Sequence, residues 1–314
     1  MAQVSIIIPT YNRAAFLDGA IKSVLDQSFK DLEIIVVDDC SSDNTTALME
    51  TLRRPEIRYL RHDRQVGGAA ARNTGIHHST GEYVAFLDDD DEWYPEKLGR
   101  QMSMMLASPP DVGGIYTGYF IVDRSDGQIR GQMVPTERGD LYETLLAGNC
   151  IGSNSSMLLR RSCFDKVGIF DERLPSFQDY DLWLRIARKY QFDCIRQPLL
   201  KYFVHGEKIW TDPQALVQGL ELMLRKYGHA AAFRKKCGAY YLALGTQYCE
   251  NNRFDAGRKA LLRAARLNPF AVESYAYLGL AMLGGEGFRK ARRAQASLLP
   301  RLRRREIQGF AESV

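Results

Sequence analysis

Short β-branched apolar runs alternate with amphipathic stretches over the first half of the chain. VSIIIP and LEIIVVDD have the composition of buried strands, whereas AAFLDGAIKSVLDQ and NTTALMETLRR have the spacing of amphipathic helices. This alternation is typical of βαβ units, which form a mostly parallel sheet with helices on both faces. The pattern therefore predicts an α/β fold in which ligands bind at the carboxyl ends of the strands.

The pattern changes twice further along the chain. Residues 113–134 combine two strand-like runs with an Asp-Gly pair between them, which predicts a β-hairpin and hence a mixed sheet. From about residue 214 the strand pattern stops, and Ala, Leu, Arg and Lys recur at helical spacing to the end. We expect two domains, an α/β domain over 1–220 and a helical domain over 221–314.

The helical region contains one stretch with the spacing of a known repeat. Residues 238–271, GAYYLALGTQYCENNRFDAGRKALLRAARLNPFA, resemble a tetratricopeptide repeat, and ESYAYLGLAML restarts the pattern. So few repeats do not bury a continuous core alone. The helices are expected either to cover the first domain or to bind a protein partner or a second copy of the chain.

Composition and charge exclude several classes of protein. No apolar stretch approaches the ~18 residues that a membrane-spanning helix needs, and the first residues lack the basic leader of a signal peptide. The six cysteines have no CxxC spacing, which favours reduced thiols in the cytoplasm. A net charge of +4 is too small to indicate a nucleic-acid partner.

Positive charge is nevertheless concentrated near the end of the chain. Between Arg289 and Arg305 there are eight Lys or Arg residues and no acid. Two interpretations stay open: a solvated helix face, or peripheral contact with anionic lipid at the inner face of a membrane.

Four consecutive aspartates follow an apolar run in FLDDDDEW, residues 86–93. Adjacent carboxylates repel by roughly 1 kcal/mol per pair at about 4 Å in water, and a cation relieves that repulsion. Mg²⁺ and Mn²⁺ prefer carboxylate oxygen and complete their shells with water and substrate phosphates. The run therefore predicts a divalent cation and a phosphate-containing substrate, with helix N-terminal charge as the alternative role for Asp91 and Glu92.

Five motifs in order resemble family 2 glycosyltransferases of the GT-A fold: PTYNR, VVDDCSSD, GGAAARNTG, FLDDDDEW and QDYDLWLR. The resemblance covers about residues 3–205. It implies transfer, with inversion, of a sugar from a nucleotide-diphosphate sugar to a hydroxyl group on a saccharide or lipid-linked acceptor. It also implies UDP-sugar as the donor, Mg²⁺ or Mn²⁺ as the cofactor, and a role in surface polysaccharide, lipopolysaccharide or glycolipid synthesis.

The resemblance assigns the nucleotide to two strand exits and one helix start. It implies that Thr10, Tyr11 and Asp39 hold the uridine, and that Arg72 lies near the nucleotide. The residue chemistry agrees, because an aromatic ring packs on a base and a carboxylate accepts from imide or ribose donors. Asp38 is expected to orient the loop instead.

The family's DxD signature falls on Asp88, Asp89 and Asp90. The extra Asp91 makes the register ambiguous, and we expect Asp88 and Asp90 to bind the metal because alternate residues of an extended segment face one side. Asp89 is expected at the nucleotide, and Asp91 is a substitute metal ligand. The resemblance also implies a metal-proximal or diphosphate-proximal role for His205, for which a purely structural role is the alternative.

The motif QDYDLWLR contains the expected catalytic base. The family has Glu-Asp here, and matching residue by residue gives Asp179, with Gln178 in place of the glutamate. An amide cannot act as a base, whereas the aspartate can. Asp181 is the competitor, and a helix N-cap is the structural alternative for Asp179.

Two other functions remain to be distinguished. A sugar-phosphate nucleotidyltransferase would need a glycine-rich loop with basic residues after the first strand, and that loop is missing. A non-catalytic module that binds partners through its helical repeats is suggested by Gln178. We favour the enzyme because four acidic residues match the family motifs: Asp39, Asp88, Asp90 and Asp179.

Overall fold

The computed structural model describes residues 2–204 and 212–282, together with Gly284 and Phe288. The strands in these residues are β1 Val4–Thr10, β2 Leu32–Asp38, β3 Ile57–Arg61, β4 Tyr83–Phe86, β5 Glu92–Trp93, β6 Val112–Asp123, β7 Ile129–Met133, β8 Met157–Arg160 and β9 Gln191–Val204. The first helices are α1 Ala14–Leu25, α2 Thr45–Thr51, α3 Gly68–His78, α4 Lys97–Ala107, α5 Tyr142–Ala147, α6 Ser162–Val167 and α7 Gln178–Ala187. The later helices are α8 Pro213–Tyr227, α9 Ala231–Glu250, α10 Phe254–Leu267 and α11 Val272–Met282.

In this described part of the chain, nine strands form one mixed sheet. Its order is β3-β2-β1-β4-β8-β6-β9-β5, and β7 pairs with β6 outside that path. Strands β1 to β4 are parallel, whereas β8 runs antiparallel to β4 and β6 on either side. The α/β fold with a mixed sheet is therefore confirmed, and so is the hairpin, in which β6 and β7 are antiparallel and Gly127 has φ 70°.

The first βαβ units form because their strands are apolar on both faces. Every residue of β1 is buried, as expected for a parallel strand covered by helices on two sides. Helix α3 approaches this strand closely at Gly75, where an added Cβ would lie 2.4 Å from Ile7 Cγ2. The glycine therefore sets the distance between α3 and the sheet and, with it, the position of Arg72 on that helix.

The chain divides into two compact units. One comprises Met1–Tyr142 and Cys150–Asp212, and the other comprises Glu143–Asn149 and the described residues of Pro213–Val314. The predicted boundary at residues 220/221 falls inside α8, which belongs to the second unit.

The second unit is helical, as expected. Helices α9 and α10 lie close together at two glycines: an added Cβ would be 2.7 Å from Leu261 Cγ at Gly245 and 2.3 Å from Cys249 Sγ at Gly257. The assignment of these helices as tetratricopeptide repeats stays a prediction. Within the described residues, no helix combines the length and hydropathy that crossing a bilayer requires.

Candidate active site

The carboxyl ends of three neighbouring parallel strands carry the polar loops that the sequence singled out. Thr10 ends β1, Asp39 follows β2, and the acid loop, which we define as Asp88–Asp91, follows β4. The Thr10 hydroxyl donates to Asp89 Oδ2 at 2.7 Å, so the first and third loops are in direct contact. Tyr11 is 39% exposed and leaves its ring accessible beside them.

Asp39 is buried and organises the loop that leads into α3. Its carboxylate accepts from the backbone N–H groups of Val66 at 2.9 Å and Gly67 at 2.7 Å, and Oδ1 lies 2.9 Å from His62 Nδ1. Gly67 has φ 99°, a conformation that favours glycine at this close turn. Asp38 is also buried and accepts from Ser41 N–H at 2.8 Å, and its role in orienting the loop stays a prediction.

Two members of the acid loop present their carboxylates at the surface. The Asp88 side chain is 27% exposed, and Arg72 Nη2 donates to its Oδ1 at 2.6 Å. Asp90 is 17% exposed, and Arg13 Nη1 donates to its Oδ2 at 2.8 Å. Two guanidinium groups thus offset much of the repulsion that four adjacent acids would otherwise create.

The other two members of the acid loop point into the protein. Asp89 accepts from Thr10 and from Arg13 Nη1 at 3.1 Å. Burial raises the pKa of Asp89 to about 7, against the lowering effect of the Arg13 charge.

Asp91 has only 1% of its surface exposed. Ser155 Oγ donates to its Oδ2 at 2.6 Å, and Phe203 N–H donates to its Oδ1 at 3.2 Å. Burial and the charges of Asp90 and Asp88 raise the pKa of Asp91 well above its usual range. With both oxygens bonded inside the fold, Asp91 anchors the loop, and its role as a substitute metal ligand stays a prediction.

Asp179 lies in the first turn of α7 and is half-buried. Its Oδ1 accepts from Tyr180 N–H at 2.7 Å, and the preceding Phe177 has φ 61°, which is uncommon for a residue with a side chain. Burial raises the pKa of Asp179 to about 6, the Arg72 charge opposes this shift, and the Asp88 charge adds to it. The predicted base therefore lies within electrostatic range of Arg72 and Asp88.

The competitor Asp181 is fully buried. Arg185 Nε donates to its Oδ2 at 2.8 Å, and the same guanidinium donates to the carbonyl groups of Val167 and Ile169. These contacts join α7 to the preceding loop and keep Asp181 inside the fold. Gln178 Nε2 donates to the Leu174 carbonyl at 2.9 Å, so the residue that replaces the family's glutamate stabilises the start of the helix.

A family model for glycosyl transferase family 2 matches residues 5–168, just over half of the chain. The chain belongs to family 2 of the glycosyltransferases. A curated relative, the UDP-Glc:alpha-D-GlcNAc-diphosphoundecaprenol beta-1,3-glucosyltransferase WfgD of Escherichia coli, is 34% identical over 192 residues, which are 61% of this chain and 72% of that protein. The chain spans about a third of the length of other curated relatives, uncharacterized glycosyltransferases of Rickettsia conorii, R. felis and R. bellii.

Solved structures share the fold of this glycosyltransferase. S. aureus TarS 1-349 in complex with UDP-GlcNAc has a TM-score of 0.64 at 16% identity and covers 95% of this chain and 92% of that one. The mannosyltransferase PcManGT from Pyrobaculum calidifontis in complex with GDP-Man and Mn²⁺ has a TM-score of 0.60 at 21% identity and covers 95% and 81%, respectively. At these identities the likeness establishes the fold alone, which confirms the GT-A-like architecture.

Sequence reasoning missed three residues that hold this site together. Arg13 pairs with Asp89 and Asp90. The available signal was its place in the motif PTYNR, at the exit of the first strand. Ser155 donates to Asp91 and accepts from Asp88 N–H at 3.0 Å, and Arg124 donates to the Asp90 carbonyl at 2.6 Å. No local pattern marks the last two, because the sheet brings them to the acid loop from distant positions.

The donor set of the acid loop suits a divalent cation that is completed by substrate. Asp88 and Asp90 have partly exposed carboxylates, and Mg²⁺ commonly takes one or two protein carboxylates plus phosphate and water. Over residues 2–204 and 212–282, no group of three or more His, Cys, Asp or Glu is arranged so that it could hold a metal ion by itself. His205 and Arg289–Arg305 lie outside the described residues.

Proposed function

We propose that this family 2 member transfers a sugar from a UDP-sugar to a hydroxyl group of a saccharide or lipid-linked acceptor, with inversion at the anomeric carbon. One observation carries the proposal: Arg72 donates to Asp88 at the strand ends, and both charges are near enough to Asp179 to act on its pKa. In this proposal the base and the donor site therefore lie close together. The name of the Escherichia coli relative and the UDP-GlcNAc complex of TarS support the choice of donor.

In this proposal the uridine binds at the ends of β1 and β2. Tyr11 offers an exposed ring on which a base can pack. A carboxylate has roughly four lone-pair sites for accepting hydrogen bonds. Asp39 uses three of them for Val66, Gly67 and His62, so one is left for an imide or ribose donor. Thr10 and Asp89 support this surface from below through their mutual hydrogen bond.

The diphosphate binds beside Asp88 and Asp90, which would hold Mg²⁺ or Mn²⁺ together with His205. When bound, the ion supplies positive charge that offsets the negative charge developing on the departing diphosphate. Arg13 and Arg72 already carry guanidinium groups to the same two carboxylates. Each guanidinium has further N–H groups that can donate to phosphate oxygens, and its planar geometry suits such bonds.

Asp179 accepts the proton of the acceptor hydroxyl, whose oxygen attacks the anomeric carbon. A carboxyl with a pKa of about 6 is mostly ionised at pH 7 and yet is a stronger base than an ordinary aspartate. No second acid is required, because the nucleotide diphosphate leaves without being protonated by the protein. A single displacement inverts the anomeric configuration.

A UDP-sugar panel with a set of acceptors tests the proposal. We expect Asp179→Asn to lower the rate of sugar transfer by at least about 100-fold, because positioned base catalysis typically contributes 10²- to 10⁴-fold. UDP affinity should stay within about twofold of wild type, since the base contacts the acceptor.

Asp171→Asn is the matched control, because Asp171 lies in the loop before α7 and pairs with the exposed Arg173. Its transfer rate should equal that of the wild type. Unchanged transfer by Asp179→Asn would remove Asp179 as the base. The absence of wild-type transfer with every donor, combined with intact UDP binding, would instead favour the non-catalytic module.

We further propose that the protein works in the cytoplasm, peripherally at the inner face of a membrane, if its acceptor is lipid-linked. The basis for this proposal is the segment Arg289–Arg305, whose eight basic residues would attract anionic lipid. Co-sedimentation with phosphatidylglycerol vesicles should exceed that with phosphatidylcholine vesicles and should fall at high salt. Equal binding to the two vesicle types would contradict this assignment.

A further inference from the structure

Arg124 follows β6 directly and joins three separate elements of the first unit. Its backbone N–H donates to the Val204 carbonyl at 3.0 Å, at the end of β9. Its guanidinium carbon lies over the rings of Phe16 on α1 and Phe203 on β9, 4.5 and 3.8 Å from their centroids. From this position Nη2 donates to the backbone carbonyl of Asp90 at 2.6 Å.

These contacts hold the guanidinium in one orientation. Stacking on an aromatic face is stronger the further the cation is desolvated, and two faces restrict the plane of the group. The Arg124 Nε is buried and has no hydrogen-bond partner among the described residues, which is a cost that a surface arginine would avoid. An arginine held at such a cost is typical of a position that requires a planar, directed donor.

The acid loop has a physical need for such a donor. Its four carboxylates repel one another, and its backbone must keep Asp88 and Asp90 outward while Asp89 and Asp91 stay inside. Ser155 Oγ accepts from Asp88 N–H and holds the start of the loop. Arg124 holds the carbonyl of Asp90, the residue whose side chain is expected to bind the metal.

We infer that Arg124 is a positioning residue, which fixes the backbone of Asp90 so that the Asp90 carboxylate meets the divalent cation of the bound donor. The inference rests on the proposed function. Arg124 touches neither substrate nor metal in this account and acts only through Asp90. Phe203 reinforces the arrangement because its N–H donates to Asp91 while its ring stacks on Arg124.

Calorimetric titration of the full chain with UDP, with and without MnCl₂, tests this role. The measured quantity is the gain in UDP affinity that Mn²⁺ produces. For Arg124→Ala we expect this gain to fall by at least about tenfold, the effect of losing one charge-assisted hydrogen bond. Affinity for UDP without metal should change by less than about twofold, since the uridine contacts lie on other loops.

Two further variants sharpen the test. Arg124→Lys keeps the charge but loses the planar stacking, so its Mn²⁺-dependent gain should lie between those of wild type and Arg124→Ala. Arg130→Ala is the matched control, because Arg130 lies in the same β6–β7 hairpin and its guanidinium donates to Asp123, Asp126 and Gln128 of that hairpin. Its gain should equal that of the wild type.

Three results would overturn the inference. An undiminished Mn²⁺ gain in Arg124→Ala would show that Asp90 does not need Arg124. An equal loss of UDP affinity with and without Mn²⁺ would show general damage to the fold instead of positioning. If UDP binds the wild type without any gain from Mn²⁺, Asp90 holds no metal and this inference is wrong. The proposed sugar transfer would not be refuted by that result, because it is assayed separately with UDP-sugars.

Discussion

At the scale of single residues, the environment of Asp179 places its titration within an ordinary assay range. Burial raises its pKa to about 6, whereas an aspartate in water titrates near 3.8. Because the base works only when ionised, the turnover rate at saturating donor should rise with pH, reach half its maximum near pH 6, and fall about tenfold per pH unit below that. A midpoint near pH 4 would contradict this role.

Asp89 complicates that measurement, because its pKa is also raised, to about 7. It lies at the nucleotide end of the site and bonds Thr10 and Arg13, so its protonation should alter donor binding. Measuring UDP affinity over the same pH range separates the two groups. Turnover at saturating donor reports Asp179, and the affinity reports Asp89.

The buried acid Asp91 should matter for stability. Asp91→Ala leaves Phe203 N–H and the Ser155 hydroxyl without their acceptor, so we expect a loss of about 1–3 kcal/mol in the free energy of unfolding by urea at pH 7. Asp91→Asn retains an acceptor and should lose less. Asp126→Ala, on the exposed hairpin, should change stability by no more than about 0.5 kcal/mol. Equal effects for the buried and exposed positions would contradict the anchoring role.

Residue type and order in the chain could indicate which acids meet at the strand ends, but not how each is oriented. The four aspartates of the acid loop look alike in sequence, yet Asp88 and Asp90 are partly exposed while Asp89 and Asp91 are buried. The difference arises from Ser155 and Arg124, which reach the loop through the packing of β8 and β6. Such partners depend on tertiary register, which local spacing does not contain.

At the scale of elements, hydrophobic patterning predicted the βαβ beginning of the chain and the β6–β7 hairpin. It could not predict that β8 inserts antiparallel between β4 and β6, nor that β9 pairs in parallel with β6. The hydrophobic pattern of a strand indicates which of its residues are buried, but it does not identify the neighbouring strand. Those pairings nevertheless shape the site, because they carry Ser155 and Phe203 to the acid loop.

The α9–α10 pair offers a direct test of packing. Gly257→Ala places a methyl group 2.3 Å from Cys249 Sγ in the unrelaxed structure, so we expect a loss of about 1–3 kcal/mol in stability. Gly279→Ala is the matched control on α11, where an added Cβ meets nothing within 4 Å. Helix propensity predicts a gain there of roughly 0.5–1 kcal/mol. Chemical denaturation monitored by circular dichroism measures both, and equal changes in the two variants would contradict the close helix contact.

At the scale of the whole molecule, one sheet brings distant parts of the sequence to a shared edge. Thr10, Asp39 and the acid loop come from parallel strands, whereas Asp179 comes from a helix almost ninety residues after the acid loop. The family match over residues 5–168 covers most of this α/β part and ends before the helix that carries Asp179. The helical unit gives the least information about function. The spacing of its residues predicts tetratricopeptide-like repeats but does not identify what they bind.

The central claim is that Asp88 and Asp90 bind the donor's diphosphate through a divalent cation. Isothermal titration of wild type and the Asp88→Asn/Asp90→Asn double variant with UDP, with and without Mn²⁺, tests it most directly. We predict that Mn²⁺ strengthens UDP binding to the wild type by about tenfold or more, equivalent to ~1.4 kcal/mol, and leaves the variant unchanged. The same Mn²⁺-dependent gain in the double variant, or no UDP binding by the wild type under either condition, would contradict the account.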